Sequence, residues 1–185
     1  MALRFGTDGL RGVAFEELTP ELVARLGAAA ARVLGHELPF MIGRDTRLSG
    51  PALESALVAG LVAGGATARI VGVLPTPGVA FLADAAGSPA AMISASHNPY
   101  IDNGVKIFGR GGVKLDDATE SRIEAELEHV VAPALPPEAR ADTPVAPGVL
   151  STGDADASEA YLAHLLGALE GRRLDGLRVV LDCAN

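Results

Sequence analysis

Ile93-Ser94-Ala95-Ser96-His97-Asn98-Pro99-Tyr100-Ile101-Asp102-Asn103-Gly104-Val105-Lys106-Ile107-Phe108 is the stretch on which the fold turns. Pro89 to Ile93 is an apolar run of strand length, and Val105 to Phe108 is another, introduced by an Asn-Gly turn signal. The second run follows too soon for a parallel crossover, so the two strands are expected to be antiparallel neighbours. Alternation then places Lys106 on the same face as Phe108, opposite Val105 and Ile107. A lysine there also fits one that only snorkels from a sheet edge. Two serine hydroxyls, an imidazole, carboxamides and a carboxylate between two buried strands, with an amine on the second, are costly unless they are used. Ser96 is therefore the candidate centre of the chemistry.

Working outward, the chain alternates helices and strands. Thr19-Pro20-Glu21-Leu22 opens a helix, with a threonine cap, proline at the first position and an acid in the first turn. Leu22, Leu26, Ala29, Ala30 and Val33 follow at helical spacing, and Gly35 is the stop. Phe40 to Gly43 reads as a buried strand, then Arg44-Asp45-Thr46-Arg47-Leu48-Ser49-Gly50 as a charged turn opening a helix near Ser49. That turn fits anion binding at the helix start, and equally an Arg44, Asp45 and Arg47 network that fixes the turn itself. The helix from Ala52 to about Ala63 is apolar on most sides, as expected between two layers. Ala68 to Leu74 is a strand, and a helix over Gly78 to Ala86 follows.

Asp116 and Asp117 cap a further helix over Ala118 to Val131. Five prolines between Ala132 and Leu150 give linker composition, which sets a domain boundary at roughly 133–151. Beyond it, Ser158 to Leu169 reads as a helix and Leu177 to Cys183 as a strand. One helix and one strand cannot make a core, so residues 151–185 read as the start of a second domain. This order indicates an α/β fold, a three-layer α/β/α domain over 1–150 with a mixed, mostly parallel sheet, plus that truncated second domain of similar kind.

Composition narrows the function. The 185 residues carry 15 Lys and Arg against 23 Asp and Glu, a formal net charge of −8. That argues against a nucleic-acid binder, which needs a basic face to displace counterions. A few arginines still make a local anion site. The single cysteine, Cys183, allows no internal disulfide. With neither a signal-peptide layout nor a membrane-length apolar run, a cytoplasmic protein with no membrane partner is expected.

Leu3-Arg-Phe-Gly-Thr-Asp-Gly-Leu-Arg-Gly12 has three glycines and little helical character. Its Arg4, Arg11 and Thr7 can reach a phosphate; they equally fit a surface loop whose arginines pair with local acids. The esterase elbow needs glycines two residues either side of its serine, and here those positions are Ser94 and Asn98. There is no GxxxxGK[ST] and no GxGxxG at a strand-to-helix turn. Adjacent residues on an extended segment point apart, so Ser96 and His97 are not automatically a dyad.

Ser94-Ala95-Ser96-His97-Asn98-Pro99 with Asn103-Gly104-Val105-Lys106 resembles the phosphoserine loop of the α-D-phosphohexomutases. Phe5 to Gly12, Gly43 to Gly50 and Leu74-Pro75-Thr76-Pro77 resemble further motifs of that family, in the same order. FGTDGLRG and ISASHNPYIDNGVKIF look most like the members acting on hexosamine phosphates, rather than those of mannose or glucose. The resemblance implies that Ser96 carries a phosphate, gives it to a sugar monophosphate and takes the other phosphate back from a bound bisphosphate. It implies catalytic roles for Ser96, Lys106 and Arg11, substrate contacts from Thr7, Arg11 and Lys106, and a positioning or proton-transfer role for His97. Magnesium would bind the Ser96 phosphate and three aspartates of a DxDxD-type loop, with a hexosamine 1,6-bisphosphate as intermediate and activator. No DxDxD occurs; Asp154 and Asp156 read as helix-capping residues, so the metal aspartates and sugar-reading residues are expected in C-terminal domains beyond this chain. The segment alone is expected to be inactive. A homodimer is compatible with this reading. The rivals are a non-catalytic phosphate-binding module of the same fold, in which Ser96 is never phosphorylated, and a serine hydrolase.

Overall fold

A computed structural model describes residues 9–135, 149–151 and 154–182. Thr7, Arg4 and Cys183 lie outside the described residues. The elements in chain order are β1 (Leu10–Val13), α1 (Pro20–Leu34), β2 (Phe40–Arg44), α2 (Gly50–Ala63), β3 (Ala68–Val73), α3 (Thr76–Ala86), β4 (Ala90–Ile93), β5 (Asp102–Phe108), α4 (Asp117–His129), β6 (Val149–Ser151) and α5 (Asp154–Gly167). The strands form one sheet in the order β1-β5-β4-β2-β3-β6. The pairs β4–β2, β2–β3 and β3–β6 are parallel, while β5 is antiparallel to both β4 and β1. Strand β5 alone therefore runs against the others, and the sheet is mixed and mostly parallel.

Alternation divides the strands between two apolar layers. Leu10, Phe40, Ile42, Ala68, Ala91, Ile93, Val105 and Ile107 face α1, α2 and α4. Met41, Val71, Met92 and Phe108 face α3 and α5. This is the three-layer α/β/α arrangement. Local chemistry places the helix starts. Thr19 Oγ1 accepts from Leu22 N at 3.2 Å with Pro20 at the first position, and Asp116 accepts from Thr119 N at 2.7 Å. Helix α3 begins at Thr76, two residues ahead of the span read from sequence, because Pro75 is extended and Pro77 suits a first turn.

Three segments differ from the sequence reading. The glycine-rich N-terminal stretch, read as a loop, ends in strand β1, with Arg11 opposite Gly104 and Gly12 opposite Asn103. Gly9 serves the close approach of that pair: it has φ 84°, and a Cβ there would sit 2.1 Å from Val105 O. Strand β6 falls inside the proline-rich stretch, where three residues are too few to show a periodicity. Leu177 to Asp182 form no strand: they are exposed, and with no neighbouring strand among the described residues there is no ladder to hold them extended. Helix α5 packs on α3, its His164 ring stacked on Phe81 with centroids 4.1 Å apart.

Candidate functional site

The carboxyl end of β4 delivers Ser94, Ala95 and Ser96 to the edge of the sheet, where ligands of α/β sheets bind. On the neighbouring strands, Arg11 stands opposite Gly104, and Lys106 opposite Met92. Register thus sets Arg11, Lys106 and Met92 on the face that carries α3. A pocket of about 200 Å³ lies there, lined by Arg11, Thr76, Met92, Ser94, Ser96 and Lys106. Thr76 is the first residue of α3, whose N-terminus has no side-chain cap. The first-turn N–H groups of a helix carry partial positive charge, of the same sign as the two cations across the pocket. An acidic chain has here assembled a locally cationic pocket around Ser94 and Ser96. Lys106 Nζ also sits 5.5 Å from the centre of the Phe108 ring, on the face that alternation assigns to both.

The loop itself is tightly bonded. Ser96 is exposed and has φ 59°, one of three described non-glycine residues in the left-handed region. Serine reaches that region only when its surroundings over-determine it. Ser96 N donates to Ser94 Oγ at 3.0 Å, and Ser94 Oγ donates to Asp45 Oδ2 at 2.7 Å. Ser96 Oγ lies 3.3 Å from His97 Nδ1, so the two adjacent side chains do meet, because the left-handed turn breaks the extended geometry that would separate them. Asn98 Nδ2 donates to Asp102 Oδ2 at 3.0 Å, and Asn98 N to Ala95 O at 3.1 Å. Asn103, fully buried, donates from Nδ2 to Ser49 Oγ at 2.8 Å and accepts from Gly104 N at 2.8 Å.

The charged turn before α2 resolves in part as the network that spacing suggested: Asp45 and Arg47 pair, while Arg44 turns elsewhere. Arg44 pairs with Glu54 at 3.4 Å. Arg47 instead pairs with Asp45 at 3.0 Å and extends its guanidinium under the serine loop. Sequence reasoning brought Ser96, Lys106 and Arg11 together but assigned no role to Thr76, Met92 or Ser94. Thr76 stood in the Leu74 to Pro77 motif, but with the helix start set two residues late its place at the pocket was not read. For Arg47 the available signal was its place in the Gly43 to Gly50 motif.

The donor set suits an anion rather than a metal ion. Among the described residues no group of three or more His, Cys, Asp or Glu comes together. The nearby carboxylates are engaged: Asp45 by Arg47 and Ser94, Asp102 by Asn98. These residues do not fit a magnesium site of their own. Among the described residues no helix is long and apolar enough to cross a membrane.

Residues 2–132 match the family described as phosphoglucomutase/phosphomannomutase, alpha/beta/alpha domain I. The chain is 50% identical over 192 residues to the phosphoglucosamine mutase of Mycolicibacterium gilvum, and 52% identical over 191 residues to that of Mycobacterium leprae. Each comparison covers 100% of this chain but only 41% and 39% of the relative, so the chain spans about two fifths of the length of these curated relatives. A crystal structure from Thermus thermophilus, of a protein assigned to phosphomannomutase, superposes with a TM-score of 0.69 at 32% identity. It covers 94% of this chain and 38% of that one. A phosphoglucomutase/phosphomannomutase family protein from Burkholderia thailandensis shares the fold, with a TM-score of 0.63 at 24% identity.

Proposed function

We propose, from the premise that this chain belongs to the phosphoglucomutase/phosphomannomutase family, whose domain I it carries, that it is the nucleophile-bearing part of a phosphoglucosamine mutase. The first domain of that enzyme runs past the 1–150 read from sequence, since β6 pairs with β3 through Ser151 and α5 packs on α3; the second would open after α5 rather than at 151. The reaction interconverts glucosamine 6-phosphate and glucosamine 1-phosphate in the cytoplasm. The observation that carries this reading is Ser96, held at φ 59° on the rim of a pocket that also presents Arg11 and Lys106.

Phosphorylated Ser96 carries about −1.5 to −2 charges, and the two cations and the α3 N-terminus offset it. In the first half-reaction the free hydroxyl of the hexosamine monophosphate attacks phosphorus. The bond from phosphorus to Ser96 Oγ breaks as the bond to the sugar oxygen forms, giving the 1,6-bisphosphate. The sugar hydroxyl loses its proton and Ser96 Oγ gains one; His97 Nδ1, 3.3 Å away, is placed to mediate that exchange. In the second half-reaction Ser96 Oγ gives up its proton and attacks the other phosphorus; the bond from that phosphorus to the sugar oxygen breaks, and the sugar oxygen takes up the proton. Arg11 and Lys106 hold the transferring group, with Thr7 as a further contact. Magnesium, when bound, would add positive charge at an oxygen of the Ser96 phosphate, its protein ligands coming from the region relatives carry beyond this match.

Residues 1–185 alone are expected to show no turnover. The test uses the full-length enzyme with glucosamine, glucose and mannose 6-phosphates as competing substrates. The amino sugar is expected to lead in kcat/KM by more than tenfold, about 1.4 kcal/mol of transition-state binding. A smaller lead would remove the amino sugar from the proposal and leave the phosphohexomutase.

A further inference from the structure

The Arg47 guanidinium has five N–H donors, and all five are engaged. Nε donates to Asp45 Oδ2 at 3.0 Å. One terminal nitrogen donates to Pro99 O at 2.6 Å and Asp102 O at 2.9 Å. The other donates to Ser96 O at 2.8 Å and Asn98 O at 3.0 Å. The side chain is 8% exposed and does not line the pocket. Four carbonyls between Ser96 and Asp102 converge on this cation. Its charge is spent on the backbone.

We propose that Arg47 is the positioning residue that sets the direction of Ser96 Oγ. This rests on the reading that Ser96 transfers a phosphoryl group. The argument lies in which atoms are held. Ser96 N–H is fixed by Ser94 Oγ, and Ser96 C=O by Arg47. With both flanking peptide groups pinned, φ and ψ of Ser96 are fixed, and the left-handed turn with them. The two restraints are joined, because Asp45 Oδ2 accepts from both Ser94 Oγ and Arg47 Nε, while Asp45 Oδ1 accepts from Arg47 N at 3.1 Å. Asp45, Arg47 and Ser94 form one clamp behind the nucleophile.

The surrounding fold does not depend on that clamp. The turn before α2 is tied by backbone bonds from Asp45 N to Ile93 O and from Leu74 N to Arg44 O, and by Asn103 on Ser49. The loop keeps its bonds from Asn98 N to Ala95 O and from Asp102 N to Pro99 O. Removing the guanidinium releases the Ser96 carbonyl, and Ser96 relaxes out of the left-handed region, turning Oγ away from the attacking group. Lysine cannot substitute, since three donors on one atom do not span four carbonyls and a carboxylate.

The experiment compares full-length wild type, Arg47→Ala, Arg47→Lys and the surface control Arg32→Ala, with and without added guanidinium chloride at non-denaturing concentration. For Arg47→Ala the expected result is a kcat about 100-fold lower with KM changed less than about threefold, since misplacement of the reacting group by about 1 Å has that effect. Guanidinium restores at least about tenfold of the lost kcat, Arg47→Lys stays as low as Arg47→Ala, and Arg32→Ala matches wild type. Wild-type kcat in Arg47→Ala overturns the proposal, as does a loss expressed in KM or one that guanidinium leaves unchanged. If Arg47→Ala fails to fold, Arg47→Lys decides: kcat near wild type overturns the clamp, and the 100-fold loss upholds it. A wild-type enzyme without phosphoserine and without turnover would instead sink the phosphotransfer reading beneath it.

Discussion

Helices α1 and α2 meet through apolar side chains and close backbone contact, whereas the Ser96 loop is held by polar bonds, some within the loop and others from Asp45 and Arg47, distant in sequence. On the helix pair, Leu26, Ala28 to Ala31, Leu53, Leu57 and Leu61 are buried, and glycines let the two axes approach. A Cβ at Gly60 would lie 1.9 Å from Ala24 O, and one at Gly27 would lie 2.5 Å from Leu57 O. In the loop, three side chains, Asp45, Arg47 and Ser94, hold the conformation of one exposed serine. Packing is spread over many contacts, so single changes there are felt as stability. The loop's geometry is concentrated in a few bonds, and changes there are felt as chemistry.

Substitutions can break that division. Lys106→Met keeps the length and apolar stem of the side chain and removes its charge from the pocket. In the full-length enzyme kcat is expected to fall by about 10²-fold or more, as for loss of a charge aimed at a reacting group. Its melting temperature should stay close to that of wild type. An unchanged kcat would make Lys106 a structural residue of the pocket wall, and the loop would no longer be the place where chemistry resides.

Gly60→Ala probes the other side of the comparison. The added methyl meets a backbone oxygen that cannot swing away, and overpacking of this kind costs about 1–3 kcal/mol. Denaturant unfolding should show that loss, with kcat for the remaining folded enzyme unaltered. A reduced kcat at full occupancy of the fold would mean that the helix pair and the loop are coupled.

The smallest effect is expected at the start of α4. Hydrogen bonding from the Thr119 side chain, and then from its N–H, with a smaller contribution from Arg122, holds the Asp116 carboxyl below its ordinary value near 3.8. A carboxylate depressed in the folded state stabilises above its unfolded value, and that contribution disappears as pH falls through the folded one. Asp116→Ala should therefore lower the melting temperature slightly at neutral pH, with the difference from wild type closing below about pH 3.8. A difference that persists at lower pH would assign the cap to something other than the ionised carboxylate.

How much of this was legible in the sequence follows the same division. Helix α1 could be read from Thr19, Pro20 and the spacing of Leu22, Leu26 and Ala29, because amphipathic periodicity and caps are local. The antiparallel return of β5, and the face shared by Lys106 and Phe108, followed from strand alternation and a short connection. Strand β1 was missed because glycines that permit its approach to β5 also dilute any alternation. The candidate serine stood out by its density of polar neighbours. Arg47 did not, since its bonds run to backbone carbonyls 49 to 55 residues away and carbonyls leave no mark on side-chain identity. The grouping of Arg11 and Lys106 with Ser96 came from the family resemblance; its geometry came only from the register that sets Arg11 beside Gly104, two residues from Lys106.

The central claim is that Ser96 carries the phosphoryl group. Intact-mass measurement of the full-length protein after incubation with hexosamine 1,6-bisphosphate, beside Ser96→Ala treated in the same way, tests it directly. The account predicts an adduct of one phosphoryl group on wild type, mapped to the peptide containing Ser96, and none on the variant. An unmodified wild type, or an equal adduct on Ser96→Ala, would contradict it.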